Sequence, residues 1–378
     1  MKKALIIATI GGFVPKFEMN DVRLLIEKGY EIHYASDFKN PVYDMDIKKL
    51  ENMGMRLHQI SIHKSPIHIG RNIKAYFKLK KIIDRENISL IHCHNPIGGV
   101  VGRLAAGRSK CKPYVFYTAH GFHFYKGAPK KNWIFYYNVE RFLAHYTDTL
   151  ITINGEDCAR GKSFKLKKGG RVKRIHGVGV DMEKFKKYDG AYYTERKKLS
   201  IPKNCFHIVT VAELNKNKNH RVVIEALAAL KDEEIYYTIC GKGREEKNLS
   251  SLIKKHHLDG HVHLMGYRDD VADILQSADI FAFPSIREGL GIAAVEALAT
   301  GVPVIAADNR GTREYMKDGI NGIVCYGNTA EEFEAAIKKI KENKEKRAEM
   351  SLSCRASVKK FAIGETEKIM RQVYDIKE

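Results

Sequence analysis

Residues 284–325 read PSIREGLGIAAVEALATGVPVIAADNRGTREYMKDGINGIVC. They begin where an apolar strand, Ile280-Phe281-Ala282-Phe283, ends. A glycine-bracketed loop, Glu288-Gly289-Leu290-Gly291, leads into an Ala-rich helix from Ile292 to Ala299. Gly301 stops that helix before a second apolar strand over 302–307. Strand, glycine loop, helix and strand make a βαβ unit. Its loop lies at the carboxyl end of the strand, where open parallel sheets bind ligands. Free N–H groups and the dipole at the helix start suit a phosphate.

Two carboxylates flank that turn. Glu288 sits in the loop and Glu296 about one turn into the helix. At about 100° per residue they cannot share one helix face, so they are no acid/base pair. They can instead reach opposite ends of a ligand whose phosphates lie between them, which describes a nucleotide-sugar. The plainer alternative is that both are surface charges.

The context around the turn carries a resemblance. Glu288-x7-Glu296 is preceded by Pro284-Ser285 and followed by Gly301-Val302-Pro303-Val304-Ile305. Gly311-x-x-Glu314 and Asp318-Gly319-x-Asn321-Gly322 come next. The combination resembles the retaining family-4 glycosyltransferases of the GT-B fold, as found in bacterial exopolysaccharide and capsule synthesis. The resemblance implies an α/β architecture of two Rossmann-like, doubly wound domains facing a cleft. It implies that Glu288 binds donor-sugar hydroxyls and Glu296 the ribose. The amides of Gly289, Leu290, Gly291 and Ile292 would then hold sugar and phosphate oxygens.

The length of 378 residues favours two domains. The amino-terminal run Ala4–Ile10 ends in Gly-Gly-Phe without a small-residue cleavage site, so it reads as a buried strand rather than a signal peptide. No apolar run is long enough to span a bilayer. Seven scattered cysteines without Cys-x-x-Cys read as reduced thiols of a cytoplasmic protein. The net charge of +20 is uneven: residues 1–180 hold 32 basic and 14 acidic side chains, the remainder 33 and 31. A basic half attracts phosphates of nucleic acid, anionic lipid or an anionic acceptor. Zinc-finger spacing and RNA-binding aromatic motifs are missing, which disfavours nucleic acid.

Gly11-Gly12, after the first strand, would bring backbone close to the donor phosphates. Asn20 or Asp21 would cap a helix running to Lys28. Asp44-Met45-Asp46 imitates a metal-binding D-x-D, but its place before the helix Ile47–Met53 suggests capping or solvated carboxylates. Residues 71–85 (RNIKAYFKLKKIIDR) have helical spacing, with Ile73, Tyr76, Phe77, Leu79 and Ile83 as the apolar positions. That helix can be core-packed or a basic surface for anionic lipid. In the strand Ser89–His94, alternation puts His92 and His94 on one face and Cys93 on the other, which argues against a three-ligand metal site there. Gly98-Gly99-Val-Val-Gly102 and Gly241-Lys242-Gly243 do not fit a dinucleotide fingerprint.

Thr118-x-His120-Gly121 resembles the family segment whose His reaches the donor sugar, which carries that role to His120. Residues 122–137 pack seven aromatics among three lysines. They suit either a membrane interface and lipid-linked acceptor or an aromatic core. His94, Phe122, His123 and Tyr125 are the acceptor-binding candidates. His176-Gly177-Val178-Gly179-Val180-Asp181 resembles the family's crossing between domains. It sets an acceptor domain at 1–180, a donor domain at 181–360 and a final helix within 361–378 that packs back on the first. Lys186–Ser200 reads as a polar linker.

The block Glu213-Leu214-Asn215-Lys216-Asn217-Lys218-Asn219-His220 departs from the family pattern. Lys218 falls on the expected diphosphate-binding Lys, while Glu213 stands where an Arg is expected. Lys216, Arg221 and Arg287 are cations that can substitute. Backbone around Tyr267-Arg268 would meet the nucleotide base.

The resulting expectation is a retaining glycosyltransferase with His120, Glu288 and Lys218 as its catalytic residues. It would need no metal or cofactor. Its donor would be a nucleotide-sugar, expected to be a UDP-sugar, and its acceptor a polyprenyl-diphosphate-linked saccharide at the anionic inner face of the cell membrane. A UDP-sugar epimerase or hydrolase, a donor-binding pseudo-enzyme and a nicotinamide-dependent oxidoreductase are the alternatives.

Overall fold

The computed structural model describes residues 1–376. The chain divides into two compact units, one of residues 1–178 with the segment from 364 onward, the other of residues 179–363.

The amino-terminal unit is built on seven parallel strands: β1 (Lys2–Ile7), β2 (Tyr30–Ser36), β3 (Arg56–Gln59), β4 (Leu90–His94), β5 (Tyr114–Ala119), β6 (Thr149–Thr152) and β7 (Arg171–Arg174). Their order is β3-β2-β1-β4-β5-β6-β7. Ala4 to Ile7 are fully buried, as a parallel strand covered on both faces must be. Order reverses between β1 and β4, so the crevice of a doubly wound sheet lies past their carboxyl ends.

The helix Ile69–Glu86 packs its stripe Ala75, Leu79, Ile82 and Ile83 on this sheet. Ile73 and Phe77, read from the sequence as part of the apolar face, are instead 50% and 63% exposed, because they lie beside that stripe. Asp21 does not cap its helix. It lies buried within Met19–Glu27 and accepts a hydrogen bond from the Tyr374 hydroxyl at 2.9 Å. Tyr374 follows the helix Ile363–Val373, whose residues from Gly364 onward belong to this unit.

The carboxyl-terminal unit holds β8 (Phe206–Val211), β9 (Ile235–Cys240), β10 (Val262–Leu264), β11 (Ile280–Phe283), β12 (Val304–Ala307) and β13 (Gly322–Cys325). All pairings are parallel, in the order β10-β9-β8-β11-β12-β13. The reversal here falls between β8 and β11. The expected linker contains a helix, Ala191–Lys198, that belongs to this unit. Arg196, 1% exposed, anchors it by donating to Asp279 Oδ2 at 2.6 Å and to the carbonyls of Ser277 and Cys205.

Candidate active site

At the β8/β11 switch point two loops meet. The loop after β8 is tied to the one after β11 through Ile286 N–H, which donates to the Asn217 carbonyl at 2.8 Å. The Asn217 amide in turn donates to the Arg287 carbonyl at 2.9 Å. From the other side, the Asn309 amide donates to the Ser285 carbonyl at 2.9 Å and Arg310 Nε to the Glu288 carbonyl at 3.2 Å. These clamps place Lys218 Nζ 2.5 Å from Glu288 Oε1, with both side chains largely sheltered. The sequence assigned one to the diphosphate and the other to the sugar; the structure brings them together.

Gly291 starts the helix Ile292–Ala299 with φ +89°, and an added Cβ would stand 2.7 Å from the Phe283 ring. Only glycine fits both demands. The turn therefore presents the amides of residues 289–292 at a helix start. Glu296 lies part-buried within that helix. Tyr315, buried beneath the loop, donates a long 3.4 Å bond to the Gly291 carbonyl, and burial together with Glu288 pushes its phenol well up. Tyr267 is 48% exposed, whereas the Arg268 guanidinium is engaged by Asp270 at 2.5–2.7 Å. Glu213, in the expected Arg position, is exposed.

At the β1/β4 switch point of the other unit, Gly11 and Gly12 are buried against the segment 37–43, and an added Cβ on Gly12 would lie 2.4 Å from the Tyr43 carbonyl oxygen. The glycine pair thus admits a neighbouring loop. Asn95 accepts from Thr9 N–H and Oγ1–H at 3.1 Å each, joining the loops after β1 and β4. The alternation expected for β4 is present: Cys93 faces the core cluster, while the His92 and His94 rings lie 4.1 Å apart.

His120, at the end of β5, comes within 3.2 Å of His94 and 3.5 Å of Glu18. Glu18 had no signal in the sequence beyond its position after Gly-Gly. These three residues offer ligand atoms within 4.8 Å of one another, which is geometrically able to attract a metal. Burial, aided by Asp21, raises the Glu18 carboxyl, and burial lowers His120 to about 4. Burial, His92 and His120 lower His94. The neutral forms are therefore favoured throughout.

The acceptor candidates separate. His94 and Phe122 are buried, Phe122 in an aromatic cluster with Phe124 and Phe164, so neither offers an acceptor a surface. His123 and Tyr125 are part-exposed, His123 stacking on Tyr136 at 4.7 Å. Asp46 accepts from Lys49 N–H at 3.0 Å as a helix cap, as its spacing suggested.

Residues 193–355 match the family "Glycosyl transferases group 1" and residues 12–154 match "Glycosyl transferase 4-like". EpsD of Bacillus subtilis (strain 168), which carries a provisional glycosyltransferase name, is 36% identical over 377 residues, covering 99% of this chain and 96% of the relative. The UDP-Gal:alpha-D-GlcNAc-diphosphoundecaprenol alpha-1,3-galactosyltransferase of Escherichia coli is 28% identical over 300 residues, covering 77% and 76%. Among solved structures, Anabaena HepE in complex with UDP and glucose superposes with a TM-score of 0.80 at 19% identity, covering 99% of each chain.

Proposed function

This chain belongs to the GT4-like glycosyltransferases of the GT-B fold, and on that premise we propose that it moves a sugar from a UDP-sugar to a polyprenyl-diphosphate-linked saccharide in surface-polysaccharide assembly. The observation that carries the donor reading is the Lys218–Glu288 pair beside the glycine turn at the β8/β11 switch point. A cation, a carboxylate and a row of helix-start amides suit, in turn, a diphosphate, sugar hydroxyls and the intervening oxygens. In this reading Glu296 takes the ribose and the backbone near Tyr267 the base. The bond from the anomeric carbon to the diphosphate oxygen breaks, and the acceptor oxygen bonds that carbon with retention. The acceptor's proton leaves with the diphosphate. Lys218 and the turn amides stabilise the charge that develops on the leaving group. The acceptor reading draws on relatives whose names specify diphosphoundecaprenol substrates.

The test is mass spectrometry of products from a panel of UDP-sugars with polyprenyl-diphosphate acceptors. Transfer is expected, and it is expected to persist in EDTA, since Lys218 and amides neutralise the diphosphate and Asp46 is engaged in capping. Free sugar or an isomerised donor would replace the transferase reading with a hydrolase or epimerase. UDP binding without turnover would indicate a pseudo-enzyme, the alternative raised by Glu213 in the expected Arg position. Turnover lost on chelation and restored by magnesium or manganese would overturn the metal-independent mechanism.

We further read the basic amino-terminal half as the surface that meets anionic membrane. No helix among the described residues is long and apolar enough to cross a bilayer. Ile73 and Phe77 are exposed on a helix that also carries Lys74, Lys78 and Lys81, and Ile134, Phe135 and Phe142 are 72%, 54% and 55% exposed. Each Lys or Arg near an anionic surface contributes about 1 kcal/mol, so a handful suffices. Co-sedimentation with anionic vesicles at low salt is expected, with release by high salt or neutral lipid. Binding indifferent to both would reduce the basic half to a solvated surface.

A further inference from the structure

Two buried polar chains run side by side along the carboxyl-terminal halves of β4 and β5. The first is closed. Tyr374 donates its hydroxyl proton to Asp21 Oδ2 at 2.9 Å, so its oxygen accepts from His92 Nδ1–H at 2.7 Å. His92 Nε2 is then free to accept from the Thr118 hydroxyl, also at 2.7 Å. Every group in that chain is satisfied, as buried polar groups in a structural network are.

The second chain, Glu18–His94–His120, is not closed. Glu18 Oε1 and His94 Nε2 are buried without a hydrogen-bond partner. His94 Nδ1 and His120 Nε2 lie 3.2 Å apart, and the ring centroids are 5.5 Å apart. The centroid separation is close to the nitrogen separation plus a ring radius at each end, so the two nitrogens meet head-on. A tetrahedral ion at about 2.0–2.1 Å from both would accept a nitrogen spacing of roughly 3.3–3.4 Å, but it would need both lone pairs to converge on it; here they point at each other, which is the geometry of a hydrogen bond. Two lone pairs cannot face each other, so one nitrogen carries a proton.

Which nitrogen carries it follows from the orphaned atom. With the proton on His120, His94 would hold its own on Nε2, a buried N–H with nothing to accept it. With the proton on His94 Nδ1, the bare Nε2 is only an unfilled acceptor, the less costly orphan. His120 then accepts at Nε2 and carries its proton on Nδ1, on a side chain that is 22% exposed. Glu18 Oε1 sits 3.5 Å from both facing nitrogens, where a carboxyl oxygen attracts the shared proton. Phe13 covers both rings at 5.1 and 5.7 Å and limits access of water to the pair.

We propose that Glu18 and His94 are positioning residues that hold His120 as its Nδ1–H tautomer, so that it offers a hydrogen-bond donor to an oxygen of the bound sugar. This rests on reading His120 as the residue that meets the donor sugar. The test separates the two ideas, because the tautomer can be read without turnover.

Proton–nitrogen correlation spectra of ring-labelled histidine, in the intact chain, are expected to show His120 with its proton on Nδ1 and still neutral at pH 6. In Glu18→Leu, which removes the carboxyl oxygen beside the shared proton, and in His94→Phe, which removes the partner, the Nδ1–H population is expected to fall. The spectrum of His33, buried in β2 of the same unit and paired with His58 at 2.8 Å, should be unchanged, which shows that the variants fold. Their kcat is expected to drop roughly 10- to 100-fold, as for groups that orient a site residue, with KM for the donor nearly constant. Wild-type His120 protonated on Nε2 would overturn the proposal, as would a tautomer or a kcat unmoved in both variants. Wild-type protein with the expected tautomer but no transfer to any acceptor would instead count against the functional reading.

Discussion

Glu288→Ala is expected to lower glycosyl transfer by roughly 100- to 1000-fold, the cost of removing one well-placed polar contact to the reacting group, while UDP binds as tightly as before. UDP carries no sugar for this carboxylate to hold. The Lys218–Glu288 contact sharpens the expectation. In the wild type Lys218 Nζ is engaged by Glu288 Oε1 at 2.5 Å, so a diphosphate must share or displace that partner. Removing Glu288 frees the ammonium, and UDP affinity should hold or rise. Glu296→Ala is expected to behave oppositely, weakening UDP by about 1–3 kcal/mol through loss of a charged hydrogen-bond partner. Calorimetric titration of UDP into both variants, beside a transfer assay, checks the pair. Equal losses of UDP affinity would end this division of labour.

Arg196→Ala is expected to destabilise the carboxyl-terminal unit by about 3–5 kcal/mol, because it leaves a largely sheltered carboxylate with only the more distant Arg347 Nε at 3.9 Å as its cation. Asp279 Oδ2 takes both Arg196 and the His207 N–H, and the guanidinium also satisfies carbonyls at Ser277 and Cys205. Truncation therefore weakens the pairing of an acid and strands several carbonyl acceptors at once. Replacing the ion pair jointly, as Arg196→Met with Asp279→Leu, should recover much of the loss, since burying two charges is itself costly. Denaturant unfolding of the three proteins measures this. A loss below 1 kcal/mol for Arg196→Ala would mean that water reaches the pair.

The central strands of the two sheets were legible because parallel strands covered on both faces are apolar throughout, whereas the polar edge strands β3 and β7 gave no such run. Ala4–Ile7 and Ile280–Phe283 are such runs, and both are strands. The helix Ile292–Ala299 was placed by its glycines, which are local signals: Gly291 enters it at a positive φ and Gly301 leaves it at another. Helix faces were less secure. Ile73 and Phe77 fit the helical period, yet a period of 3.6 admits neighbouring stripes, and only the sheet decides which one is covered. Arg196 was invisible because a buried guanidinium requires Asp279, 83 residues away.

The sequence by itself determined the apolar central strands and the glycine-bounded helix Ile292–Ala299, while two Rossmann-like domains came with its family resemblance. Such features were legible because periodicity, glycine and capping act over a few residues. Only the tertiary structure decided which of those residues meet. It paired Lys218 with Glu288 across the β8/β11 switch point, buried Phe122 in an aromatic cluster, and set Glu18 between His94 and His120. Such meetings depend on strand order and on which groups are desolvated together. Neither is written in any short stretch of chain, and both decide whether a histidine or carboxylate is charged, neutral or available to a substrate.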